Sequence, residues 1–202
     1  MRRVEISVRD LVAYGHPSGD LTSPQSMFAR AREGNRAHRE YRRSRGPNYE
    51  AEVYLREVLR GQLVECVVHG RADGLFWDGD VFVIEELKST YRNLGELNGE
   101  DRPNHWHQAM IYGHLLAKER KLGKIALLLT YYDLLSNQSR SFRKVFSASF
   151  LEDFFRETAI PFLQWQEDLY RWEMKRDETI EELPFPYKEL RPGQRELCNR
   201  VE

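Results

Sequence analysis

Cysteine is scarce in this sequence. Of 202 residues only Cys66 and Cys198 are cysteines, and they lie far apart without a C-x-x-C pair. This scarcity argues against a zinc ribbon, an iron–sulfur cluster and a disulfide-stabilised scaffold. Long apolar runs are lacking too, and the opening segment MRRVEISVRD has no hydrophobic signal-peptide core. We therefore expect no membrane span and a reducing, cytoplasmic location.

Net charge is also small, although charged residues are abundant. They make up 31% of the sequence, yet the net charge is only −1, so their distribution is more informative than their sum. Residues 30–45, RAREGNRAHREYRRSR, contain seven arginines, two glutamates and no lysine. Such a run fits either a solvated helix face or a surface that contacts phosphates, because arginine forks match phosphate oxygens.

Hydrophobic patterning predicts a mixture of strands and helices. A short strand and the start of a helix are expected in RRVEISVRDLVAYG, a helix is expected from about Ser23, and residues 48–60 fit either type. Predicted strands are QLVECVVHGRADGLFW, DVFVIEELKS and KIALLLTYYDL, with SRSFRKVFS as the edge partner of the last, and HWHQAMIYGHLLAKERK is a predicted helix. This order predicts an α/β fold with a mixed central β-sheet flanked by helices.

The last part of the chain is predicted to be a long helix followed by a linker. A capping box over Ser149–Glu152 predicts that the helix runs from Phe150 to about Arg176. From Asp177 the sequence turns acidic, and prolines 184, 186 and 192 predict a linker. We therefore expect one domain over residues 1–176 and a separate tail over residues 177–202.

Residues 72–90, ADGLFWDGDVFVIEELKST, place two acids and a lysine directly after an apolar strand. Buried charges are costly unless they are paired, so these acids either emerge into water or hold something positive. Asp78-Gly79 predicts a two-residue hairpin turn, which would pair Asp73 with Ile84. A three-residue loop with a bulge would align Asp73 with Glu85 instead.

With the two-residue turn, Asp73, Glu86 and Lys88 share one face of the hairpin, because residues two apart along a strand point the same way. Asp73 and Glu86 then become diagonal neighbours, roughly 7–8 Å apart at the backbone. Two such carboxylates suit a divalent metal bound through oxygen, and Lys88 could orient an attacking water beside it. The alternative is a surface strand end, at which Glu86 and Lys88 form a solvated pair.

Four motifs together resemble a known enzyme superfamily. GRADG, VIEELKST and WHQAMIYGHLL follow an upstream EGNRAHREY segment, and the four span His38 to Tyr112 in that order. In this combination they resemble the PD-(D/E)XK nuclease superfamily, specifically its RecB-like branch. The resemblance implies a restriction-endonuclease-like fold and a metal-dependent DNA nuclease that uses Mg²⁺ or Mn²⁺.

The resemblance also implies roles for individual residues. The upstream G-x-x-x-H element of the branch matches Gly34 and His38, and its Q-x-x-x-Y helix matches Gln108 and Tyr112. The implied metal ligands are His38, Asp73, Glu86 and the backbone carbonyl of Leu87, and the implied catalytic residues are Asp73, Glu86, Lys88, Gln108 and Tyr112.

Two departures from the branch leave alternatives open. The second metal acid is Glu86, where the branch more commonly has aspartate, and the cysteines that hold an iron–sulfur cluster in some relatives are missing. Glu50 or Glu52 could also supply the upstream acid that other members of the superfamily use in place of His38.

The tail FPYKELRPGQREL resembles the opening of a superfamily 2 helicase of the DinG/XPD type. By that resemblance Arg191 and Gln194 would lie near the adenine of a complete helicase, but no G-x-x-x-x-G-K-[ST] phosphate loop follows. We therefore expect the nuclease domain of a larger helicase–nuclease, with a helicase domain in the same full-length chain. Such a nuclease would act on single-stranded DNA or frayed ends. The competing interpretations are a catalytically silent DNA-binding module and a structural domain that binds no metal.

Several other side chains carry weaker signals. His105 and His107 flank Trp106 and are expected at exposed positions, while Tyr54, Tyr91 and Trp106 fit core packing or stacking on unpaired bases. A second basic cluster fits either a DNA-facing rim or a solvated helix end; it comprises Lys118, Arg120, Lys121 and Lys124.

Overall fold

The computed structural model describes residues 1–17, 34, 36–183, 191, 193–198 and 200. The strands are β1 (Arg2–Ser7), β2 (Glu50–Arg60), β3 (Val64–Asp78), β4 (Val81–Thr90), β5 (Lys124–Asp133) and β6 (Ser139–Ser147). The helices are α1 (Val8–Gly15), α2 (residues 36–43), α3 (Pro103–Arg120), α4 (Ala148–Glu181) and α5 (Gln194–Cys198), with a 3₁₀ turn over Leu94–Glu96.

The chain divides into two compact units, Met1–Glu167 and Asp168–Glu202. The first unit contains the whole sheet, and the second contains the end of α4 and the short helix α5. The predicted helix start near Ser23 and the predicted linker prolines at 184, 186 and 192 lie outside the described residues. In the described part of the chain, no helix is both long and apolar enough to span a membrane.

The predicted mixed sheet flanked by helices is confirmed. Its six strands run in the order β1-β3-β4-β5-β6, and β2 pairs with β3 outside this path. The β1–β3 and β4–β5 pairs are parallel, whereas β2–β3, β3–β4 and β5–β6 are antiparallel. As predicted, β5 is almost wholly buried and β6, which alternates between exposed and half-buried residues, is its edge partner.

The main core lies between one face of the sheet and helices α1, α3 and α4. Helix α3 is buried on most of its circumference, from Trp106 to Ala117. Phe155 of α4 is among the fully buried side chains of the same cluster. A second, smaller cluster places Ala37 and Tyr41 of α2 against Leu87. These two clusters hold the sheet between helices, because each amphipathic element must cover its apolar face.

The ambiguous segment and the hairpin turn are settled by the observed register. Residues 48–60, which fitted either type, form β2 from Glu50 onward. The prediction that Asp78-Gly79 forms the turn is wrong: Asp78 pairs with Val81, and Gly79-Asp80 forms the turn. Gly79 has a φ of 67°, which suits the first central position of a type II′ turn rather than the second position of a type I′ turn.

The predicted pairing of Asp73 with Ile84 is therefore wrong as well, since Leu75 pairs with Ile84. The error is a shift of two residues along the ladder. Because the side-chain period of a strand is two, an even shift leaves every residue of β4 on its predicted face.

The long helix α4 also begins earlier than predicted. Ser147, rather than Ser149, caps its first turn by accepting a hydrogen bond from the Phe150 amide at 3.2 Å. The helix consequently starts at Ala148 and ends at Glu181, beyond the predicted end at Arg176. Two candidate caps, Ser147 and Ser149, lie two residues apart, so the exact start depends on the packing of the preceding strand.

Candidate active site

A gap in the sheet beside β3 creates the candidate site. On one side β3 pairs with β2 over most of its length, with one interruption. On the other side it pairs first with β1, as far as His69, and then with β4, from Gly74 onward. The four residues between them, 70–73, have no strand partner on that side. Past Glu85 the strand β4 leaves β3 and continues along β5, so the gap opens there.

Asp73 lies at the edge of this gap. Its Oδ2 accepts a hydrogen bond from the Leu87 amide at 2.9 Å, which ties the diverging strand to β3 through a side chain. The strand alternation also breaks here. A Cβ on Gly70 would meet Tyr112 of α3, whereas a Cβ on Gly74 would meet Tyr49 on the other face. Residues four apart in a regular strand share a face, so β3 is irregular between these glycines.

The partner strand shows the same irregularity. Glu52 has a φ of 55°, and neither Glu52 nor Asp73 takes part in the β2–β3 register. Breaks of this kind bend a strand and redirect a side chain, and they are frequent beside functional sites. The break turns Asp73 towards the gap.

Helix α2 brings a histidine and an arginine to Asp73. His38 Nδ1 lies 2.9 Å from Asp73 Oδ1, and an Arg42 guanidinium nitrogen lies 3.8 Å from the same oxygen. The other end of the Arg42 guanidinium pairs with Glu52 at 2.9 Å. His38 and Arg42 are four residues apart and therefore project from one face of the helix.

Strand β4 supplies Glu86 and Lys88 from the opposite side of the gap. Lys88 Nζ lies 2.6 Å from Glu86 Oε1 and donates a hydrogen bond to Gln108 Oε1 at 2.8 Å. Glu86 is only 4% exposed. Burial raises its pKa above the usual glutamate value; Lys88 opposes the rise, and the nearby negative charge of Asp73 adds to it. The two carboxylates are therefore close enough to repel each other.

Tyr112 follows Gln108 by one turn of α3 and closes the gap from the helix side. Burial raises the pKa of its phenol, and the charges of Glu86 and Asp73 raise it further. The phenol therefore stays neutral and can donate a hydrogen bond into the site. Its ring packs over Gly70, where a Cβ would come within 2.5 Å of the hydroxyl oxygen.

Replacing Gly70 by alanine tests this close approach. Gly70→Ala is expected to lower the free energy of unfolding by about 1–3 kcal/mol, because the new methyl group overpacks against Tyr112. Chemical denaturation measures the loss. Tyr112→Phe removes the clashing oxygen, so the double variant should recover part of the stability. Equal losses in the single and double variants would contradict this packing.

The structure brings together all the residues that the sequence analysis singled out for the site. His38, Asp73, Glu86, Lys88, Gln108, Tyr112 and the backbone of Leu87 all border the gap. Of the alternative acids, Glu52 reaches Asp73 only through Arg42, and Glu50 pairs with Arg120 at 3.8 Å. The role of the Leu87 carbonyl stays a prediction.

The donor set fits a divalent cation. Within the described ranges, no group of three or more His, Cys, Asp or Glu side chains stands ready-made for a metal. Each acid of the site instead has one close nitrogen partner, His38 Nδ1 for Asp73 and Lys88 Nζ for Glu86. Carboxylate oxygens that repel each other across a half-buried gap are the ligands that Mg²⁺ and Mn²⁺ prefer. Asp73, Glu86 and His38 are the residues that would hold such an ion.

Sequence reasoning missed Arg42 and Arg71 as individual residues of this site, and it named Glu52 only as an alternative upstream acid. They line an open cavity of about 440 Å³ with His38, Arg39 and Asp73. Arg42 belongs to the arginine run of residues 30–45, which was interpreted only as a surface. The i,i+4 spacing from His38 was the signal that could have singled out Arg42.

The neighbouring acid, Glu85, faces the other side of the sheet. Its Oε1 accepts hydrogen bonds from the Tyr41 hydroxyl at 2.7 Å and the Thr130 hydroxyl at 2.5 Å. Arg45 approaches its Oε2 at 3.9 Å and stacks over the Tyr49 ring, 4.9 Å from the centroid. These contacts fasten helix α2 and the following loop to β4. Glu85 is therefore a positioning residue, since α2 carries His38.

The remaining candidate residues have structural positions, and two of these differ from the positions expected from the sequence. His105 and His107 are half-buried, so the expectation that they are exposed is wrong. Trp106 is buried and donates a hydrogen bond to the Gly99 carbonyl at 2.7 Å, whereas Tyr54 and Tyr91 are exposed. In the second basic cluster, Lys118, Arg120 and Lys124 pair with Glu57, Glu50 and Asp80, respectively, which favours a solvated helix end.

Comparison with known proteins identifies the fold. No family model matches the sequence, and no curated protein matches it. The structure is similar to the crystal structure of an alkaline exonuclease (LHK-Exo) from Laribacter hongkongensis, with 14% identity over 87% of this chain and 94% of that one and a TM-score of 0.53. It is also similar to SSO0001, with 19% identity over 77% of this chain and 75% of that one and a TM-score of 0.51. The mixed six-stranded sheet flanked by helices thus resembles a nuclease fold.

Proposed function

We propose that this protein is a metal-dependent DNA nuclease that hydrolyses phosphodiester bonds. The observation that carries the proposal is the convergence of Asp73, Glu86 and Lys88 at the gap between β1 and β4. The similarity of the fold to an alkaline exonuclease supports the same reaction class, and the motifs resemble the PD-(D/E)XK nucleases of the RecB-like branch.

The charge and position of each site residue suggest its role in the proposed reaction. Asp73, Glu86 and His38 would hold Mg²⁺ or Mn²⁺, with the Leu87 carbonyl as a further ligand. When bound, such an ion supplies Lewis-acid polarisation of the phosphate and a more acidic water. Lys88, held by Gln108, is placed to orient the attacking water and to stabilise negative charge that develops on the phosphate oxygens.

The mouth of the site suits a polyanion. Arg39, Arg42 and Arg71 line the cavity outside Asp73, so the approach carries more positive than negative side chains. Arginine forks bind phosphate oxygens, and their charge would attract a nucleic-acid backbone. This part of the arginine run therefore supports phosphate contact. Arg30 and Arg32 lie outside the described residues.

The wider context belongs to the proposal too. Residues 1–176 would form the nuclease domain, and residues 177–202 would begin a helicase region of the DinG/XPD type in the same full-length chain. A helicase would deliver single-stranded DNA or frayed ends, which we propose as the preferred substrate in DNA repair or processing. A reducing cytoplasm suits two cysteines without a C-x-x-C pair.

Cleavage of end-labelled DNA tests the proposed function. Wild-type protein should cut single-stranded DNA in the presence of Mg²⁺ or Mn²⁺ and not in EDTA. Asp73→Asn should remove this activity, because it discards one carboxylate charge from the site. Asp78→Asn is the matched control on the same strand, since Asp78 is exposed at the hairpin and pairs with Arg143 at 3.3 Å. DNA binding without any cutting by the wild type would favour a silent DNA-binding module.

A further inference from the structure

A second cavity lies beyond Lys88, outside the residues assigned to the site. It measures about 440 Å³, within the usual size range of small-molecule pockets. The end of β4, the following loop and the start of α3 form its walls. Ser89, directly after Lys88, is part of the lining. The cavity therefore continues from the proposed active site along the strand.

Part of the lining of this cavity is cationic. Arg92 and Arg102 line it, and Asp101 is the carboxylate among the lining residues. Arg92 pairs with Asp101 at 3.2 Å. Arg102 is exposed, and among the described residues its guanidinium has no ion pair or hydrogen bond. One arginine charge is thus left uncompensated at the surface of the cavity.

The histidine of the cavity does not change this balance. Burial, with smaller contributions from the charges of Lys88 and Arg102, lowers the pKa of His105 to about 3. Its Nδ1 lies 3.0 Å from the Tyr131 hydroxyl, so the ring is held in place. Tyr131 also lies opposite Lys88 in the β4–β5 register, so the cavity borders the proposed catalytic lysine.

The rest of the lining is largely aromatic and apolar. Tyr91, which is 54% exposed, lines the cavity together with Tyr131, Leu97 and Leu134. Nucleobases stack on such rings irrespective of sequence, because every base offers a π face. A cavity lined by both arginines and aromatic rings fits a ligand that carries a phosphate and a flat ring.

We propose that this cavity binds one nucleotide of the single strand next to the phosphodiester that is cut. Arg102 and Arg92 would contact its phosphate, and its base would lie against Tyr91. This inference rests on the proposed nuclease function and extends it with a subsite. Binding of this nucleotide would fix the position of the DNA strand, so that the scissile phosphate lies beside Lys88.

Binding of DNA without metal tests the subsite independently of cleavage. The probe is a fluorescein-labelled single-stranded oligonucleotide in EDTA, followed by fluorescence anisotropy at several salt concentrations. Arg102→Ala should weaken binding about tenfold and reduce the slope of log affinity against log salt by about one, as expected for one lost phosphate contact. Arg156→Ala is the matched control, because Arg156 is exposed on α4 and lines neither cavity.

A variant that should bind more tightly excludes misfolding as the cause. Asp101→Asn removes the negative charge and releases Arg92 from its ion pair, so affinity should rise a few-fold. A damaged fold would not produce that gain. If Arg102→Ala and Asp101→Asn both bind like the wild type, the subsite proposal is overturned, whether or not the protein cuts DNA.

Kinetics provide the second readout. With Mg²⁺ or Mn²⁺, Arg102→Ala should raise KM about as much as it weakens binding and leave kcat nearly unchanged, because the contact exists in both the ground and the transition state. A fall in kcat with unchanged binding would overturn the subsite. Suppose that Arg102→Ala weakens DNA binding in EDTA and Asp101→Asn strengthens it, but the wild type never cuts DNA. The nuclease proposal then fails, and the proposed nucleotide site remains.

Discussion

Lys88→Ala is expected to reduce metal-dependent cleavage by about 10²–10³-fold, the usual cost of removing one preorganised group that stabilises transition-state charge. The ammonium is held between Glu86 and Gln108 at 2.6 and 2.8 Å, so its position does not depend on substrate. The rate of product formation from end-labelled single-stranded DNA at saturating Mg²⁺ measures the effect. DNA binding in EDTA should change little, since the loss is catalytic.

A control and a pH series make this result specific. Lys124→Ala is the matched control, because Lys124 is an exposed lysine that pairs with Asp80 at 3.0 Å. It lies at the start of β5, far from the site, since Lys88 is opposite Tyr131 near the other end of that strand. Lys88 also opposes the raised pKa of Glu86, so Lys88→Ala should shift the pH profile to higher pH. If the full rate returned at high pH, Lys88 would act only through Glu86, which would contradict a direct role.

Glu86→Gln is expected to abolish cleavage and metal binding, whereas Glu85→Gln should preserve both. The two acids are adjacent and buried but face opposite sides of the sheet, and glutamine at position 85 keeps an oxygen that accepts the Tyr41 and Thr130 hydroxyls. Calorimetric titration with Mn²⁺ measures binding. Heat of binding that persists in Glu86→Gln at the wild-type level would contradict the proposed ligand set.

The same variant should make the fold more stable at neutral and alkaline pH. The pKa of Glu86 in the folded protein is raised by burial, so the folded state binds a proton more tightly than the unfolded state does. The unfolding free energy therefore falls as pH rises from the ordinary glutamate pKa through the raised value. Glu86→Gln removes this fall and should gain about 1 kcal/mol at pH 8, in the range of common stabilising substitutions.

Denaturant unfolding at pH 5 and pH 8 measures this change. Stability and function should move in opposite directions in Glu86→Gln, as expected where a buried charge is kept for chemistry. The Lys88 side chain is 26% exposed and keeps its hydrogen bond to Gln108 in that variant, so its charge is still hydrated. A loss of stability at pH 8 would mean that the ion pair contributes more than burial of Glu86 costs.

Much of the site could be predicted from local sequence patterns. The period of two along β4 places Glu86 and Lys88 on one face and Glu85 on the other, whatever the turn. The i,i+4 spacing of Gln108 and Tyr112 places both on one side of α3. These rules depend only on local backbone geometry. The predicted turn was wrong by one residue and the pairing register by two, and this error left the assignment of Glu86 intact because two is the strand period.

Other features could not be predicted because they depend on contacts between distant segments. The gap exists because β1 and β4 pair with different halves of β3, and neither strand carries a signal for where that pairing stops. The break at Asp73 involves Glu52 of β2, which has a positive φ. Glutamate rarely adopts this conformation, so the residue type does not predict the break. The contact between His38 and Asp73 depends on the position of α2. The hydrogen bond from Tyr41 to Glu85 holds this helix against β4.

The sequence by itself thus determined most of the strands and helices, though not β2, as well as the face on which each β4 side chain lies and the residue types available for metal and phosphate chemistry. Only the tertiary structure decided that β3 is left open at residues 70–73, that Arg42 reaches Asp73 and that a second cavity follows Lys88. The physical reason is that periodicity is a property of the local backbone, whereas strand order and helix docking minimise the exposed apolar surface of the whole unit.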